Sequence, residues 1–517
     1  MTPAADTASA AVPVSVPPPP FRAIADLVRE HAAARPADAA LRQGAHSLGW
    51  AELDALMDRV AAGLQRDGVR PQEAIAICGA NSIAYAAVFL GAVRAGCAVA
   101  PLPTGSLPVQ LAGMAADCGA RLLFTDETAP AFDSAARRIR MDQGGLDAWL
   151  PPAGTRPTPV EVQPEWPFNI IYSSGTTGTP KGIVQPHFMR WLHVARAALF
   201  GYGTGSVTLV ATSLCSNTTL VSFFPALAAG GTVVLTEGRF DAAAYLALAE
   251  RVRATHAMLV PVQYQRLMAC PDFDRFDLSS FHMKFCTSAP FAGALKADVL
   301  ARWPGGLVEY YGMTEGGGTC ILEAHLHPDK LHTVGRPAEG HDIRLIDEEG
   351  REVPAGEAGE VVGRSATMMS GYHAQPHKTR EAEWHDAQGQ RYIRTGDVAR
   401  FDADGFLTLL DRRKDMIISG GFNIYPSDIE AVLREHPAVR EAAVVGAPSA
   451  EWGESPVAFV VPAPGAGEAQ ALRDWANARL GKTQRLADVR YVAELPRSEI
   501  GKVLKRQLRD TCAAMPG

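Results

Sequence analysis

Short apolar runs alternate with stretches of helical periodicity along most of the chain. Apolar positions recur at helical spacing over residues 21–28 and 53–64. Between such stretches lie short apolar runs at residues 74–78, 122–125, 232–236, 257–260 and 283–286. Strands that alternate with helices predict an α/β fold, in which parallel or mixed sheets are covered by helices on both faces.

Polar segments follow two of the predicted strands. Thr287–Pro290 comes directly after the run at 283–286, and Tyr310–Glu315 comes after Leu307–Glu309. In open α/β sheets, ligands bind outside the carboxyl ends of the strands. We therefore expect these two segments to form walls of one pocket.

The pattern changes after about residue 335. Residues 335–411 contain short strand-like runs separated by glycine-rich turns such as Asp404–Gly405, which predicts a β-rich subdomain. Beyond Asp415, Ser427–Glu430 reads as a capping box that opens a helix, and runs at 442–445 and 457–461 predict strands. We expect a large N-terminal domain over residues 21–413 and a small α+β C-terminal domain over residues 414–517.

Two segments invite a targeting or membrane interpretation. Residues 1–20 are rich in Ala, Pro and Ser and lack a basic start, which predicts a disordered leader rather than a secretory signal. Residues 83–103 form the most apolar window, but Arg94, glycines and prolines interrupt it. A buried helix followed by a strand is the better interpretation, and we expect no membrane span.

The charge and cysteine content of the chain argue against nucleic-acid binding and against disulfide or zinc sites. The net charge is −7 with the two signs mixed, so the chain lacks the basic footprint of a nucleic-acid-binding protein. The eight cysteines lie far apart with no C-x-x-C pair, which predicts buried thiols in a reducing cytoplasm rather than disulfides or zinc.

The segment Tyr172–Gly182 carries the strongest chemical signal. It holds three glycines, five Ser/Thr residues and Lys181 within eleven positions, directly after an apolar run. Glycine lets a backbone approach a ligand closely, and hydroxyls, N–H groups and a lysine suit anionic oxygens. The loop predicts a polyphosphate cradle, with a flexible polar surface loop as the alternative. It is not a Walker A loop, because G-x-x-x-x-G-K-[ST] is absent.

Four further blocks follow in order: Tyr310–Glu315, Arg394–Asp397, Asp411–Asp415 and Pro496–Lys502. With the loop, they make the chain resemble the adenylate-forming (AMP-binding) superfamily, in its acyl-CoA synthetase and aryl-CoA ligase branch. The resemblance covers residue 21 to the C-terminus. It implies a mobile C-terminal domain and an enzyme of fatty or aromatic acid metabolism. That enzyme would be an AMP-forming acid–CoA ligase that uses ATP, Mg²⁺ and CoA.

The resemblance also implies an ATP site. Its residues are Ser173, Ser174, Gly175, Thr176, Thr177, Gly178, Lys181, Ser288, Ala289, Pro290, Tyr310, Tyr311, Gly312, Thr314, Asp397, Arg412 and Lys502. An ionised Asp397 can accept both ribose hydroxyls at once, and Tyr311 offers a flat face to adenine. Glu315 would hold Mg²⁺. The alternatives are a turn aspartate, a core tyrosine and a surface glutamate.

The residues with catalytic roles in the family are matched by Lys502, Thr314, Glu315 and Lys414. Lys502 would enter the pocket during adenylation, where a long ammonium side chain can follow developing charge. Lys414 would be the hinge on which the C-terminal domain turns between two half-reactions. A solvated basic tail and a plain surface lysine are the respective alternatives.

The second half-reaction would use a pantetheine thiol. Gly420 and Gly421 would line its tunnel, Trp452 would stack on the CoA adenine, and Arg485 would meet a CoA phosphate. The segment Lys482–Leu486 departs from the aromatic-Lys-x-Pro pattern that is usual there, which puts the CoA phosphate contacts in doubt.

The acyl pocket is predicted from a small set of residues: Ser216, Asn217, Thr218, Gln263, Tyr264 and Gly312. The segment Thr212–Thr219 is small and polar where many relatives carry an aromatic-His pair, so the acid is not fixed by resemblance. A largely apolar fatty or aryl acid is expected, and either Arg190 or His187 could pair with a second carboxylate.

Two rival functions stay open. One is a stand-alone adenylation enzyme that loads a phosphopantetheinyl carrier protein, for which a CoA-adenine contact at Trp452 would be unnecessary. The other is a nucleotide-binding module without catalysis, against which the retained Lys502, Asp397 and Glu315 argue. The expected partners are small molecules, with a homodimer as an open alternative.

Overall fold

A computed structural model describes residues 19–173, 181–412, 415–419, 422–449, 452–481, 484–497 and 502–513. Residues 1–18 of the predicted leader lie outside the described residues. Within the described residues, the strands form four sheets. Two large sheets with their helices make up most of the chain before residue 340, and two five-stranded sheets follow.

The first sheet has seven described strands. They are β3 (Ala74–Cys78), β4 (Ala98–Leu102), β5 (Leu122–Thr125), β6 (Arg137–Arg140), β7 (Pro167–Ser173), β8 (Lys181–Pro186) and β18 (Gly371–Tyr372). Their order is β18-β8-β7-β4-β3-β5-β6. The pairs from β7 through β6 are parallel, whereas β7 and β8 form an antiparallel hairpin in which Ser173 pairs with Lys181.

The second sheet has nine described strands. They are β1 (Ala39–Gln43), β2 (His46–Gly49), β9 (Val207–Val210), β10 (Thr232–Leu235), β11 (His256–Leu259), β12 (Met283–Cys286), β13 (Gly306–Tyr311), β14 (Cys320–Glu323) and β15 (Arg336–Pro337). Their order is β15-β14-β13-β12-β11-β9-β10-β1-β2. The central pairs are parallel, and both edges are antiparallel.

Ten helices precede residue 310 in the described part of the chain. They are α1 (Ile24–Ala34), α2 (Trp50–Arg66), α3 (Ile83–Arg94), α4 (Pro108–Asp117), α5 (Gly145–Trp149), α6 (His187–Ala197), α7 (Asn217–Ala228), α8 (Ala242–Val252), α9 (Pro261–Met268) and α10 (Gly293–Arg302). The largest core lies between the two sheets and contains the buried faces of α2, α3 and α7. A Cβ on Gly91 of α3 would lie 2.5 Å from the Val60 Cβ, so glycine lets α3 approach α2 closely.

A β-rich region follows. Its sheet comprises β16 (Asp342–Ile346), β17 (Gly359–Arg364), β19 (Glu383–His385), β20 (Arg391–Phe401) and β21 (Leu407–Arg412), and α11 (Pro376–Glu381) lies beside it. The last sheet comprises β22 (Ile417–Ser419), β23 (Phe422–Ile424), β24 (Val439–Ser449), β25 (Gly453–Pro462) and β26 (Asp488–Tyr491). Its helices are α12 (Pro426–Arg434), α13 (Ala469–Asn477) and α14 (Lys505–Ala513).

The α/β fold class is confirmed, and several elements match their predicted bounds. Strands β3 and β12 coincide with the apolar runs at 74–78 and 283–286. The apolar window at 83–103 is helix α3 followed by strand β4, and both are buried. No described helix combines the length and the apolar character needed to cross a membrane. All eight cysteines lie in the described residues, and no disulfide joins any two of them.

The capping-box prediction at Ser427 is wrong. Helix α12 begins at Pro426, and no side chain caps its N-terminus at Tyr425. Ser427 lies inside the first turn. Its hydroxyl donates to the Leu410 carbonyl, and its N–H donates to Asp411 Oδ2 at 3.0 Å. Proline suits the first helical position because its missing N–H has no intrahelical partner there, and this preference sets the start. Ser427 instead connects α12 to β21.

Candidate active site

The two polar segments leave the same edge of the second sheet. Strands β12 and β13 are parallel neighbours in which Phe285 pairs with Val308. The Thr287 hydroxyl donates to the Tyr310 carbonyl at 2.8 Å and ties the two segments together. Ser288 has a φ of +83°, an unusual conformation for a residue with a Cβ, and its hydroxyl hydrogen-bonds to that of Thr218. Ser288 and Ala289 are half-buried, and Pro290 is exposed.

Tyr311 and Asp397 meet across the junction between the second sheet and the β-rich sheet. The Tyr311 hydroxyl donates to Asp397 Oδ2 at 2.9 Å. Asp397 also donates its N–H to the Thr395 hydroxyl at 3.0 Å, and Thr395 donates to the Val361 carbonyl at 2.9 Å. Burial first, and the Asp397 charge next, raise the pKa of Tyr311 well above its ordinary value, so Tyr311 stays a neutral donor. The carboxylate keeps acceptor capacity for a ligand.

Glu315, Tyr372 and Lys181 form a second contact set at the base of the predicted phosphate loop. The Tyr372 hydroxyl donates to Glu315 Oε1 at 2.9 Å, and the Lys181 ammonium lies 5.1 Å from the centre of the Tyr372 ring. Gly316, next to Glu315, has a φ of +76°, and a Cβ there would lie 1.9 Å from the Thr367 carbonyl oxygen. Only glycine lets this loop pack so closely.

This donor set fits a magnesium ion bound with a nucleotide. Mg²⁺ is usually held in proteins by one or two carboxylates together with substrate phosphates. Glu315 supplies one carboxylate, and Thr314 places a hydroxyl beside it in the chain. In the described residues no cluster of three or more His, Cys, Asp or Glu side chains could hold a metal alone.

A buried polar network supports this edge, and the sequence pattern did not reveal it. Arg190 is fully buried and donates to the amide oxygens of Asn169, Gln185 and Asn217. Gln185 in turn donates to the Thr314 carbonyl at 2.6 Å. The network joins β7, β8 and α7 to the Thr314–Glu315 loop. Asn169 and Gln185 are polar residues inside strands with zero exposure, and that anomaly is the signal that could have found it.

Arg190 and His187 are not surface residues. The ring of His187 packs edge-to-face on Phe168, with the centroids 4.9 Å apart, and burial lowers its pKa to about 3. Arg190 is engaged by its three amide acceptors. Neither residue is therefore positioned as an exposed partner for a second carboxylate.

The predicted acyl-pocket residues surround the start of α7. Ser216 caps this helix by accepting the Thr218 N–H at 3.2 Å, and Asn217 accepts from Arg190 at 2.7 Å. Asn81, which the sequence did not single out, fixes the preceding segment: it donates to the Thr212 carbonyl and accepts the Leu214 N–H, both at 2.8 Å.

The other predicted pocket residues differ in exposure. Gly312 is exposed. Gln263 is buried and donates to the Ala211 carbonyl at 3.0 Å. Tyr264 has no exposed surface, and its hydroxyl donates to the Phe285 carbonyl at 2.9 Å. Tyr264 thus belongs to the core, directly behind strand β12.

The remaining predictions fall in or near the last sheet. Lys502 is half-buried, Arg485 is exposed, and Trp452 is 52% exposed. The backbone of Arg412 pairs with Asp397, and its side chain lies outside the described atoms, as does that of Ser173. Ser174, Gly175, Thr176, Thr177, Gly178, Lys414, Gly420 and Gly421 lie outside the described residues. The roles of all these residues stay predictions.

Comparisons with known proteins decide the family. Residues 28–373 match the model of the AMP-binding enzyme family, and residues 428–502 match that of the AMP-binding enzyme C-terminal domain. This chain belongs to the AMP-binding enzyme family.

Individual relatives of this AMP-binding enzyme are ligases. A feruloyl-CoA synthase of Amycolatopsis sp is 35% identical over 91% of this chain and 95% of its own length. A fatty acid–[acyl-carrier-protein] ligase, ScoC of Streptomyces coeruleorubidus, is 31% identical over 95% of this chain and 97% of its own.

A solved structure of a CoA synthetase is also similar to this chain. The o-succinylbenzoate CoA synthetase MenE of Bacillus subtilis, in complex with its acyl-adenylate intermediate, matches with a TM-score of 0.81 at 27% identity, over 94% of this chain and 98% of its own. The chain is accordingly an AMP-forming ligase with the large and small domains of adenylate-forming enzymes.

Proposed function

We propose that this AMP-binding enzyme activates a carboxylic acid with an apolar fatty or aryl body and transfers it to CoA. ATP would convert the acid to an acyl-adenylate with release of pyrophosphate, and the CoA thiol would then displace AMP. The observation that carries the proposal is the Asp397 carboxylate, which accepts from the Tyr311 hydroxyl at 2.9 Å at the junction between two sheets. A carboxylate in this position can bind both hydroxyls of a ribose.

The first half-reaction needs positive charge where the phosphates gather negative charge. The acid's carboxylate attacks the α-phosphorus, and the bond from that phosphorus to the pyrophosphate oxygen breaks. Lys181 lies near the end of the phosphate loop in the sequence, Thr314 precedes Glu315 in the chain, and Lys502 would neutralise charge at the reacting phosphate. Glu315 would hold Mg²⁺, which neutralises phosphate oxygens when bound.

The second half-reaction needs an approach for a thiol. We propose that the C-terminal domain turns at Lys414 and presents Gly420, Gly421 and Trp452 to CoA. The side chain of Trp452 is 52% exposed, so its indole face is available for stacking on adenine. This exposed tryptophan favours CoA over a carrier protein, because a carrier brings its own pantetheine and no adenine.

Loading of a carrier protein is the second candidate function. The similarity to ScoC, which is named as an acyl-carrier-protein ligase, favours it. A cytoplasmic location and a homodimeric assembly stay predictions that neither the fold nor the site tests.

A panel of fatty and aryl acids separates the candidates. Release of AMP would be measured for each acid with CoA, with a phosphopantetheinyl carrier protein and with neither. The proposal expects acid-dependent AMP and pyrophosphate, with fast turnover only when CoA is added. ADP as the product would contradict adenylation. Turnover with the carrier protein but not with CoA would establish the loading function instead.

A further inference from the structure

A cluster of basic side chains lies along one face of helix α6. Arg190, His193 and Arg196 follow each other at three-residue intervals, which places them on neighbouring turns of the same face. His341, from the turn before β16, faces Arg196, with 2.7 Å between Arg196 Nη2 and His341 Nε2. We call Arg190, His193, Arg196 and His341 the basic cluster.

The basic cluster has no counter-ion among the described residues. Arg190 is bonded only to neutral amide oxygens, and no described carboxylate forms an ion pair with Arg196. His193 Nδ1 is buried and has no hydrogen-bond partner within the described part of the chain. Burying a guanidinium away from water is costly unless an anion or several acceptors satisfy it. The cluster is therefore incomplete as it stands.

His341 shows where an acceptor is missing. Its Nδ1 lies 3.0 Å from the Thr319 N–H, which can only donate, and its Nε2 faces Arg196, which can only donate. A neutral imidazole has one acceptor nitrogen and one N–H, so it cannot accept from both neighbours. If Nδ1 accepts from Thr319, then Nε2 carries the proton and cannot accept from Arg196, so both the Nε2–H and the facing Arg196 N–H lack an acceptor. Two neighbouring donors without an acceptor favour an anion beside them.

The same residues adjoin the predicted acyl pocket. A Cβ on Gly312 would lie 3.3 Å from Thr319 Oγ1, so Thr319 lies beside Gly312 and connects it to His341. The Arg196 side chain is half-buried, so part of it reaches the surface. The contacts run from Gly312 through Thr319 and His341 to Arg196.

We infer that Arg196 and His341 bind a second carboxylate, at the end of the acid remote from the group that is activated. This inference rests on the proposed function, because the substrate it describes is the acid of that reaction. The substrate is then a dicarboxylic acid whose middle part is apolar. Its distal carboxylate accepts from the Arg196 guanidinium and from His341 Nε2–H, and it supplies the missing counter-ion.

The residues around the basic cluster are apolar or neutral, as a dicarboxylic acid with an apolar middle part requires. Phe200 and Phe285 pack against Tyr310 with ring centroids 6.2 Å and 5.8 Å away, so the apolar neighbours of Tyr310 are aromatic side chains of a buried cluster. Burial, and then the charge of Arg196, lower the pKa of His341 to about 3. His341 is therefore neutral next to Arg196 and adds no second positive charge there.

Matched acids test the inference. Each set would share one aryl or alkyl body and differ only at the distal end, which would be a carboxylate, its carboxamide, a hydroxyl or a methyl group. The measurement is kcat/KM for AMP release. We expect the distal carboxylate to exceed its carboxamide and methyl analogues by about 10²-fold, the scale for a desolvated charge pair.

Variants connect that preference to the cluster. Arg196→Gln should abolish the preference, and Arg251→Gln, a change at an exposed arginine of α8, should leave it intact. Arg196→Glu should shift the preference toward acids with a distal ammonium group. The ratio between two acids is measured within one protein, so partial misfolding of a variant does not affect it.

Three outcomes overturn the inference. In the first, kcat/KM for a methyl-ended acid equals that for its dicarboxylic analogue. In the second, an acid with a distal hydroxyl has a higher kcat/KM than the dicarboxylic acid. In the third, the Arg196→Gln variant prefers the dicarboxylic acid as strongly as the parent chain does. In each case AMP release persists and the proposed function survives. If no acid of any set releases AMP, the proposed function itself fails.

Discussion

The hydroxyl of Tyr311 donates to Oδ2 of Asp397 at 2.9 Å and joins two sheets through residues that are 86 positions apart in the sequence. Tyr311→Phe removes this bond and leaves the ring, so we expect the KM for ATP to rise about three- to tenfold. Asp397→Ala removes the ribose acceptor itself and should cost about 1.5–3 kcal/mol, or tenfold and more.

A second tyrosine–aspartate bond in the β-rich sheet is the matched control. Tyr392 donates to Asp342 Oδ2 at 2.6 Å, away from the proposed nucleotide site. Tyr392→Phe should lower stability without changing the KM for ATP. Equal effects of the two tyrosine variants on that KM would show that Tyr311 does not support nucleotide binding.

Substitutions at Lys502 and at Gly421 should each slow a different half-reaction. Lys502→Ala should slow adenylation by at least ~10²–10³-fold, the scale for one preorganised electrostatic contact, and should spare thioester formation from supplied acyl-adenylate. Gly421→Leu should block the thiol step while pyrophosphate release continues. Lys414→Pro should also spare the first step more than the second, because proline restricts φ at the predicted hinge. Single-turnover assays measure the rate of each step separately. If Lys502→Ala and Gly421→Leu each slowed both steps equally, the C-terminal domain would not use a different arrangement for each half-reaction.

Trp452→Ala should raise the KM for CoA by about 5–100-fold, since an aromatic stack on a base contributes about 1–3 kcal/mol. The rate of adenylate formation without CoA should not change. Leu326→Ala, a change at another exposed apolar residue, provides the control. An unchanged KM for CoA in Trp452→Ala would remove the main argument for CoA over a carrier protein.

Ser216→Phe tests the predicted acyl pocket. A phenylalanine there should shorten the longest acid that the enzyme accepts, measured by AMP release over a series of chain lengths. Ser216 also caps α7, so the substitution should cost about 1 kcal/mol of stability in addition. Ser216→Ala loses the same cap without adding volume. If both variants accept the same acids as the parent chain, residue 216 does not line the pocket.

Buried histidines should make the fold sensitive to mild acid. Burial lowers the pKa of His187 and His341 to about 3 and that of His256 to about 4, and it holds that of His193 well below its usual value. The unfolded chain binds these protons near pH 6.5, whereas the folded chain does not. The contribution of these histidines to the free energy of unfolding is therefore fully present above about pH 6.5. It is lost as the pH drops toward 4, by about 1.4 kcal/mol per histidine per pH unit.

The thermal midpoint at pH 7.5 and at pH 5.5 measures this loss. His256→Gln should reduce the difference between the two midpoints, and His46→Gln, at an exposed position, should not. An identical pH difference in His256→Gln and the parent chain would contradict the proton linkage.

The order of apolar and polar residues along the chain predicts individual strands and helices, because these elements form from neighbouring residues. Strand β12 was placed to the residue because a parallel strand buried on both faces reads as a continuous apolar run. The start of α12 was misplaced because two local signals competed there, the proline at 426 and the Ser427–Glu430 box. Both signals are common at helix starts, and only the backbone shows which one acts.

The polar networks could not be predicted, because their members are far apart in the chain. Asn81 bonds to residue 212 across 131 positions, and Arg196 meets His341 across 145. No spacing rule connects such pairs. The five motif blocks did indicate the chemistry, but the side chains that shape the acyl pocket are not part of any of them.

The contacts of Ser427 have a consequence for timing. Ser427 lies after the predicted hinge at Lys414, whereas its partners Leu410 and Asp411 lie before it. A swing at the hinge that separates these segments must break both hydrogen bonds, so one arrangement keeps about 1–3 kcal/mol that the other lacks. The equilibrium is then biased about 5- to 150-fold before any substrate binds. A serine that belongs to none of the predicted ligand sites would thereby bias how much of the time the chain spends in each arrangement.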